Sequence, residues 1–193
     1  MERKYKTPVG QIPKIVNNFQ PKTDNQKLFF QKISDFNNQL ILCHGIAGTG
    51  KTYVSIYKAL QDVLRRGTGY DKIIIINPTV DVGNEDKLGY LPGELQQKIQ
   101  QYNESTFTIL NKIIGKSRAN KMIQDDTIEI GVLNFLRGVN LENCYVILDE
   151  AQNVSPMQIK TIMTRISENC KMIIQGDMSQ CDKYKTNGMT NYE

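Results

Sequence analysis

The stretch Leu40-Ile41-Leu42-Cys43-His44-Gly45-Ile46-Ala47-Gly48-Thr49-Gly50-Lys51-Thr52-Tyr53 decides the fold of this chain. Its apolar start reads as a buried strand, and residues 53–66 continue with helical periodicity. Between strand and helix, Gly45-x4-Gly50-Lys51-Thr52 has the spacing of a phosphate-binding loop, the Walker A pattern. Glycine backbone through Gly45, Ile46, Ala47, Gly48, Thr49 and Gly50 can wrap a polyphosphate. Several N–H groups and a helix N-terminus then converge on negative charge. Lys51 is placed to reach the β- and γ-phosphates, Thr52 to offer its hydroxyl to Mg²⁺, and Tyr53 follows as the next residue of the site. A plainer reading, a glycine-rich turn that merely joins strand to helix, has to be weighed against the rest of the chain.

A second acidic motif decides against the plain turn. Tyr145-Val146-Ile147-Leu148 is a short run rich in β-branched residues, as expected of a buried parallel strand, and it ends in Asp149-Glu150. Acids at the C-terminal end of such a strand face the crevice where nucleotides bind, the Walker B position. Asp149 can hold Mg²⁺ through water. Glu150, one residue on and aimed differently, can orient and deprotonate a water that attacks the γ-phosphate.

Composition narrows the class further. With 193 residues and 39% hydrophobic content, the chain can bury one substantial core, which suggests a polar N-terminal arm over 1–23 and a single domain over 24–193. Four cysteines (Cys43, Cys144, Cys170, Cys181) form no CxxC pair, and three lie in or beside apolar runs, so neither disulfides nor zinc are expected. No apolar region follows the basic start, and no run approaches a membrane-spanning length. The expectation is a cytoplasmic protein with no membrane contact. A net charge of +4 permits an acidic partner but argues for one only weakly, since a phosphate pocket uses positive charge itself.

Along the chain, helices are expected over 25–36 and 94–122, and strands over 72–76, 128–135 and 171–175. Residues 83–93, with three glycines and a proline, exclude regular structure. Ser155-Pro156-Met157-Gln158 predicts a helix start, with Ser155 as N-cap, Pro156 in the first turn and Gln158 completing a capping box. Strands alternating with helices imply an α/β fold, a RecA-like P-loop NTPase with a three-layer sandwich and a mostly parallel sheet joined by right-handed crossovers.

Taken together these motifs resemble the PhoH-like P-loop ATPases, which share the nucleotide-binding half of superfamily 1 helicases. The resemblance runs from Pro21 to Gly188. It rests on Gly45 to Thr52, on Leu88-Gly89-Tyr90-Leu91-Pro92-Gly93-Glu94, on Phe135-Leu136-Arg137-Gly138, on Val146-Ile147-Leu148-Asp149-Glu150-Ala151-Gln152-Asn153, and on Lys171 to Gln180. It implies ATP and Mg²⁺ as cofactors, with Asp149 and Glu150 as magnesium and catalytic acids. Gln152 matches the coupling glutamine, Gln180 the γ-phosphate sensor, and Gln26 the adenine-reading glutamine ahead of the loop. It further implies a bacterial protein acting as a homo-oligomer, a hexameric ring being one form, on RNA or single-stranded nucleic acid, with helicase-like activity conceivable.

This chain also departs from the family's pattern. Asn77-Pro78 stands where the family usually has Arg-Pro, and Leu136-Arg137-Gly138-Val139-Asn140 retains one of two arginines. The chain stops at Glu193, where relatives generally continue with a strand and a helix, as a trimmed piece or a compact, bacteriophage-encoded member would. Arg165 and Arg137 each admit two readings, a solvated salt-bridging residue or an arginine finger lent to a neighbouring subunit, and both are candidate catalytic cations. His44 reads as a packing or backbone-bonding residue rather than a catalytic one. Tyr90 and Leu91 could stack on bases, dock a neighbour or simply plug a long loop. One lobe alone cannot walk as a two-lobed helicase does. The chain is therefore expected to be an Mg²⁺-dependent ATPase that oligomerises, the alternative being a nucleotide-binding switch that controls a protein partner with negligible turnover.

Overall fold

A computed structural model describes residues 15, 18–65, 67–78, 103–131, 141–167 and 169–180. The first of its elements, α1 (Asp24–Ser34), opens on Thr23, whose hydroxyl accepts from Gln26 N. β1 (Leu40–His44) leads through the glycine loop into α2 (Lys51–Val63). β2 (Lys72–Ile76), α3 (Glu104–Ile114), α4 (Lys116–Gln124) and β3 (Ile128–Gly131) follow. The chain continues with β4 (Cys144–Leu148), a short 3₁₀ turn at Ala151–Asn153, α5 (Pro156–Met163) and β5 (Lys171–Gly176). A second 3₁₀ turn, Met178–Gln180, ends the described chain.

The five strands form one sheet in the order β1-β5-β4-β2-β3, and every pairing is parallel. Side chains alternate faces along each strand, and the core divides accordingly. Ile73, Ile75, Tyr145, Ile147 and Ile173 face α1 to α4, whereas Ile74, Ile76, Val146, Leu148, Met172 and Ile174 face α5. This is the expected three-layer α/β sandwich. β4 is buried at all five positions, which is why its sequence shows an apolar run rather than alternation. β1 lies at the sheet edge among the described strands, and Leu40 and Leu42 are exposed on the face opposite Ile41.

The expected helix over 94–122 is two helices where it is described. Gly115 separates α3 from α4 with φ +82° and ψ +147°, a positive-φ conformation that ends α3 and that glycine adopts at little cost. The capping box at Ser155 is present as read: Ser155 Oγ accepts from Gln158 N, and Gln158 Oε1 accepts from Ser155 N. Of the strand expected over 128–135, residues 128–131 are strand, and 132–140 lie outside the described residues.

Candidate active site

The phosphate loop runs from the end of β1 into α2. Gly48 and Gly50 take φ +77° and +87°, and a Cβ on Gly50 would stand 3.3 Å from Gln26 Nε2, so both backbone and space select glycine there. Gly45 N donates to Gly176 O, tying the loop to the end of β5. Lys51 Nζ lies over the loop, donating to Gly45 O at 2.6 Å and Ile46 O at 3.1 Å. The Tyr53 ring packs on Phe19 and Tyr57.

Gln26 reaches the same loop from α1. Its Nε2 donates to Thr49 O at 2.9 Å, and its Oε1 accepts from Lys22 N at 2.8 Å. The expected adenine reader is therefore also a brace between the first helix and the loop.

Below the loop, β4 delivers the acids. Thr52 Oγ1 donates to Asp149 Oδ2 at 2.9 Å, joining the two expected metal-holding groups although 97 residues separate them. Glu150 is half-buried and takes φ +48°, ψ +41°. Among the described non-glycine residues with positive φ, the other three are Asp126, Asn143 and Asn169, types that tolerate this region. Gln152, buried, donates from Nε2 to Glu150 Oε2 at 2.6 Å and accepts from Asp177 N at 3.0 Å.

Three contributors were not singled out by the sequence reading. Asp177 Oδ2 accepts from Ala47 N at 2.8 Å, a carboxylate fastening the phosphate loop from the end of β5. The Ser179 hydroxyl, then the N–H groups of Ala47 and Ser179, hold that carboxyl below its ordinary range. Gln180 is exposed in the turn just beyond and bonds through its N–H to Asp177 O, so the expected γ-phosphate sensor rides on the residue that holds the loop. The others, Gln175 and Ser55, lie beneath Asp149. A strand-end acid at Asp177, repeating the placement of Asp149, was the available signal.

The two arginines fare differently. Arg165 lies just past α5, not within it, and its backbone O accepts from Leu141 N ahead of β4. That puts it at the opposite end of β4 from Asp149, so the fold does not bring it to its own chain's loop. Its Nε is buried without a hydrogen-bond partner among the described residues. Arg137, Tyr90 and Leu91 lie outside the described residues. His44 is exposed at the end of β1, not packed.

Burial pushes the Cys43 thiol up to about 11. Cys144 and Cys170 are buried free thiols with sulfurs 3.6 Å apart, and their mutual hydrogen bond raises Cys170 and lowers Cys144.

A parallel sheet carrying a glycine loop into a helix, with a carboxylate from another strand under that loop's threonine, defines the class of P-loop nucleoside-triphosphatase folds. The family model described as "PhoH-like protein" matches residues 18–193, and the chain belongs to that family. It is 41% identical over 145 residues to a PhoH-like protein of Bacillus subtilis, covering 75% of this chain and 44% of that one. It is 35% identical over 170 residues to a PhoH-like protein of Synechocystis, covering 87% and 50%, and 36% identical over 148 residues to Protein PhoH of Escherichia coli K12, covering 76% and 41%. The chain thus spans about half the length of the curated relatives it matches. Among solved structures, the large terminase of a thermophilic bacteriophage overlaps with TM-score 0.48 at 11% identity, over 81% of this chain and 39% of that one. No helix of the described residues is long and apolar enough to cross a membrane.

Proposed function

We propose that the chain binds ATP with Mg²⁺ and hydrolyses it, working as an oligomer on RNA or single-stranded nucleic acid. The observation that carries this reading is the Thr52–Asp149 contact, 2.9 Å, directly under a loop with Lys51 above it. The donor set suits the cation. Among the described residues no group of three or more His, Cys, Asp or Glu could hold a metal alone, whereas Mg²⁺ in nucleotide sites takes one or two protein oxygens and fills its shell with phosphate oxygens and water. When bound, Mg²⁺ would neutralise charge developing on the β- and γ-phosphate oxygens.

The residues of the chain divide the remaining work. Loop N–H groups and Lys51 cradle the phosphates, and Glu150 takes the proton of the attacking water as the water oxygen bonds to the γ-phosphorus and the bond from that phosphorus to the β–γ bridging oxygen breaks, releasing ADP and phosphate. Gln152 bonds Glu150 Oε2 and leaves the other carboxylate oxygen for that water. Gln26, fixed to Thr49 O, is set to read the adenine edge. A cation for the developing γ-phosphate charge would come from a neighbouring subunit, through Arg165 or Arg137. Arg165, remote from its own loop, favours transfer in trans or, in a monomer, the alternative of a slow nucleotide switch that controls a protein partner.

Phosphate release and equilibrium binding of a fluorescent ATP analogue test the proposal. Lys51→Ala should lose binding, while Glu150→Gln should bind as the parent does and turn over about 10²- to 10⁴-fold more slowly. Equal hydrolysis by Glu150→Gln and parent would remove Glu150 from its role. A rate per subunit that rises with protein concentration, and with added RNA, supports the oligomer; a concentration-independent, RNA-indifferent monomer supports the switch.

A further inference from the structure

Beneath Asp149 lies a fully buried amide to which the motifs assign no role. Gln175 sits on β5 between β1 and β4 with no solvent exposure. Its Nε2 donates to Asp149 Oδ1 at 2.9 Å, and its Oε1 accepts from Ser55 Oγ at 2.5 Å. Ser55 is equally buried, three residues after Thr52 on α2. The orientation follows from chemistry: an ionised carboxylate only accepts, so the amide nitrogen must face Asp149, and the serine hydroxyl then serves the amide oxygen. Oδ1 also accepts from Glu150 N at 3.1 Å, while Oδ2 faces Thr52. One carboxylate oxygen is thus anchored inward and the other is presented at the loop.

A packing role explains this poorly. Leucine would fill a similar volume, whereas a buried amide is tolerated only when its donors and acceptors are met. We propose that Gln175, braced by Ser55, is a positioning residue for the cation site, fixing Asp149 so that Oδ2 stands beside Thr52 Oγ1 for a divalent cation that arrives with nucleotide. This rests on the nucleotide-binding reading above. Mg²⁺ demands near-ideal octahedral geometry and Ca²⁺ does not, so freedom of the Asp149 carboxylate penalises Mg²⁺ more.

The test titrates the full chain with a fluorescent ADP analogue in EDTA, in Mg²⁺ and in Ca²⁺, with thermal unfolding as the folding control. The parent should bind more tightly with Mg²⁺. In Gln175→Leu the Mg²⁺ concentration giving half of that tightening should rise about 10- to 100-fold, as for other outer-shell partners of metal ligands, with a smaller rise for Ca²⁺. Ser55→Ala should shift it the same way by less. Gln175→Asn keeps the amide one methylene shorter, so its nitrogen falls short of Asp149 Oδ1, and it should shift the Mg²⁺ requirement the same way as Gln175→Leu. A parent that ignores nucleotide or Mg²⁺ defeats the nucleotide reading itself. A responsive parent with Gln175→Leu unchanged in Mg²⁺ requirement and in its preference for Mg²⁺ over Ca²⁺ overturns the inference alone. If Gln175→Leu does not fold, an unchanged Mg²⁺ requirement in Gln175→Asn overturns it equally.

Discussion

The two ends of β4 carry buried polar clusters of opposite design. At the N-terminal end the Tyr145 hydroxyl donates to Asp62 Oδ2, and Asp62 Oδ1 pairs with Lys58 at 2.5 Å. Nearby, Lys171 Nζ donates to Ile33 O at 2.6 Å and Asp35 O at 2.7 Å, closing the C-terminus of α1, and lies near the rings of Phe36 and Tyr145. Every one of these four side chains is buried, and each bonds within the protein. At the C-terminal end Asp149, Thr52, Glu150 and Lys51 bond one another or the loop, and Lys51, Thr52 and Glu150 stay partly exposed. A polar cluster that stabilises satisfies its groups internally, whereas one that binds keeps valences for a ligand and tolerates strain to do so.

Asp62→Ala probes the sealed end most severely. It leaves the Lys58 ammonium and the Tyr145 hydroxyl buried without their acceptor, and breaking such a pair from one side costs about 3–5 kcal/mol. Denaturant unfolding should register that loss, while nucleotide affinity below the melting transition should stay within about twofold of the parent, because distant sites act independently. A loss under about 1 kcal/mol would mean that the pair is solvated in practice.

Lys171→Met adds a pH signature. Burial pushes the Lys171 ammonium down from 10.5 to about 8, with Asp62 opposing that shift. Between those values the unfolded chain binds more protons than the folded one, so this group makes stability rise with pH across that window. At neutral pH the variant should be less stable by about 1–3 kcal/mol for two lost bonds to carbonyls. The deficit should widen from pH 7.5 to 9.5. Tyr70, pushed up to about 12 by burial, and Tyr145, raised further, act the other way above pH 10, and they are common to both proteins. A deficit that is flat or narrowing with pH would show that Lys171 is not depressed in the folded state.

The open end was more legible in sequence than the sealed end, and the reason is physical. Phosphate chemistry demands residue types in local order, so Gly45 to Thr52 and Asp149-Glu150 can be read without a fold. Asp62, Tyr145 and Lys171 meet only through packing, and nothing in residues 58–62 names Tyr145 as a partner. One clue was available: Lys171 and Gln175, four apart in an apolar strand, share the face of Ile173, and polar side chains on a buried strand need partners. Apolar patterning placed the five strands, but the break at Gly115 was missed because the residues on either side keep a helical pattern.

The smallest effect tests whether strain belongs to the open end. Left-handed residues occur at both ends of β4, but Asn143, beside the sealed cluster, is a type that tolerates φ +52° and accepts from Asn169 Nδ2 at 3.0 Å. Glu150 has no such affinity for φ +48°. Comparing Glu150→Gly with Glu150→Ala isolates the backbone term, since both lose the carboxylate and with it the bond from Gln152 Nε2. Left-handed geometry costs a residue with a Cβ about 1–2 kcal/mol, and glycine gives back about 0.4–1 kcal/mol through its looser unfolded chain. Glu150→Gly should therefore be the more stable of the two by about 0.5–1 kcal/mol, the reverse of the usual order of alanine over glycine. Denaturant midpoints of the pair, at equal slope, measure this directly. Alanine equal to or above glycine would show that Glu150 relaxes out of the left-handed region at no cost, and the contrast between a strained end and a satisfied end of β4 would lose its backbone component.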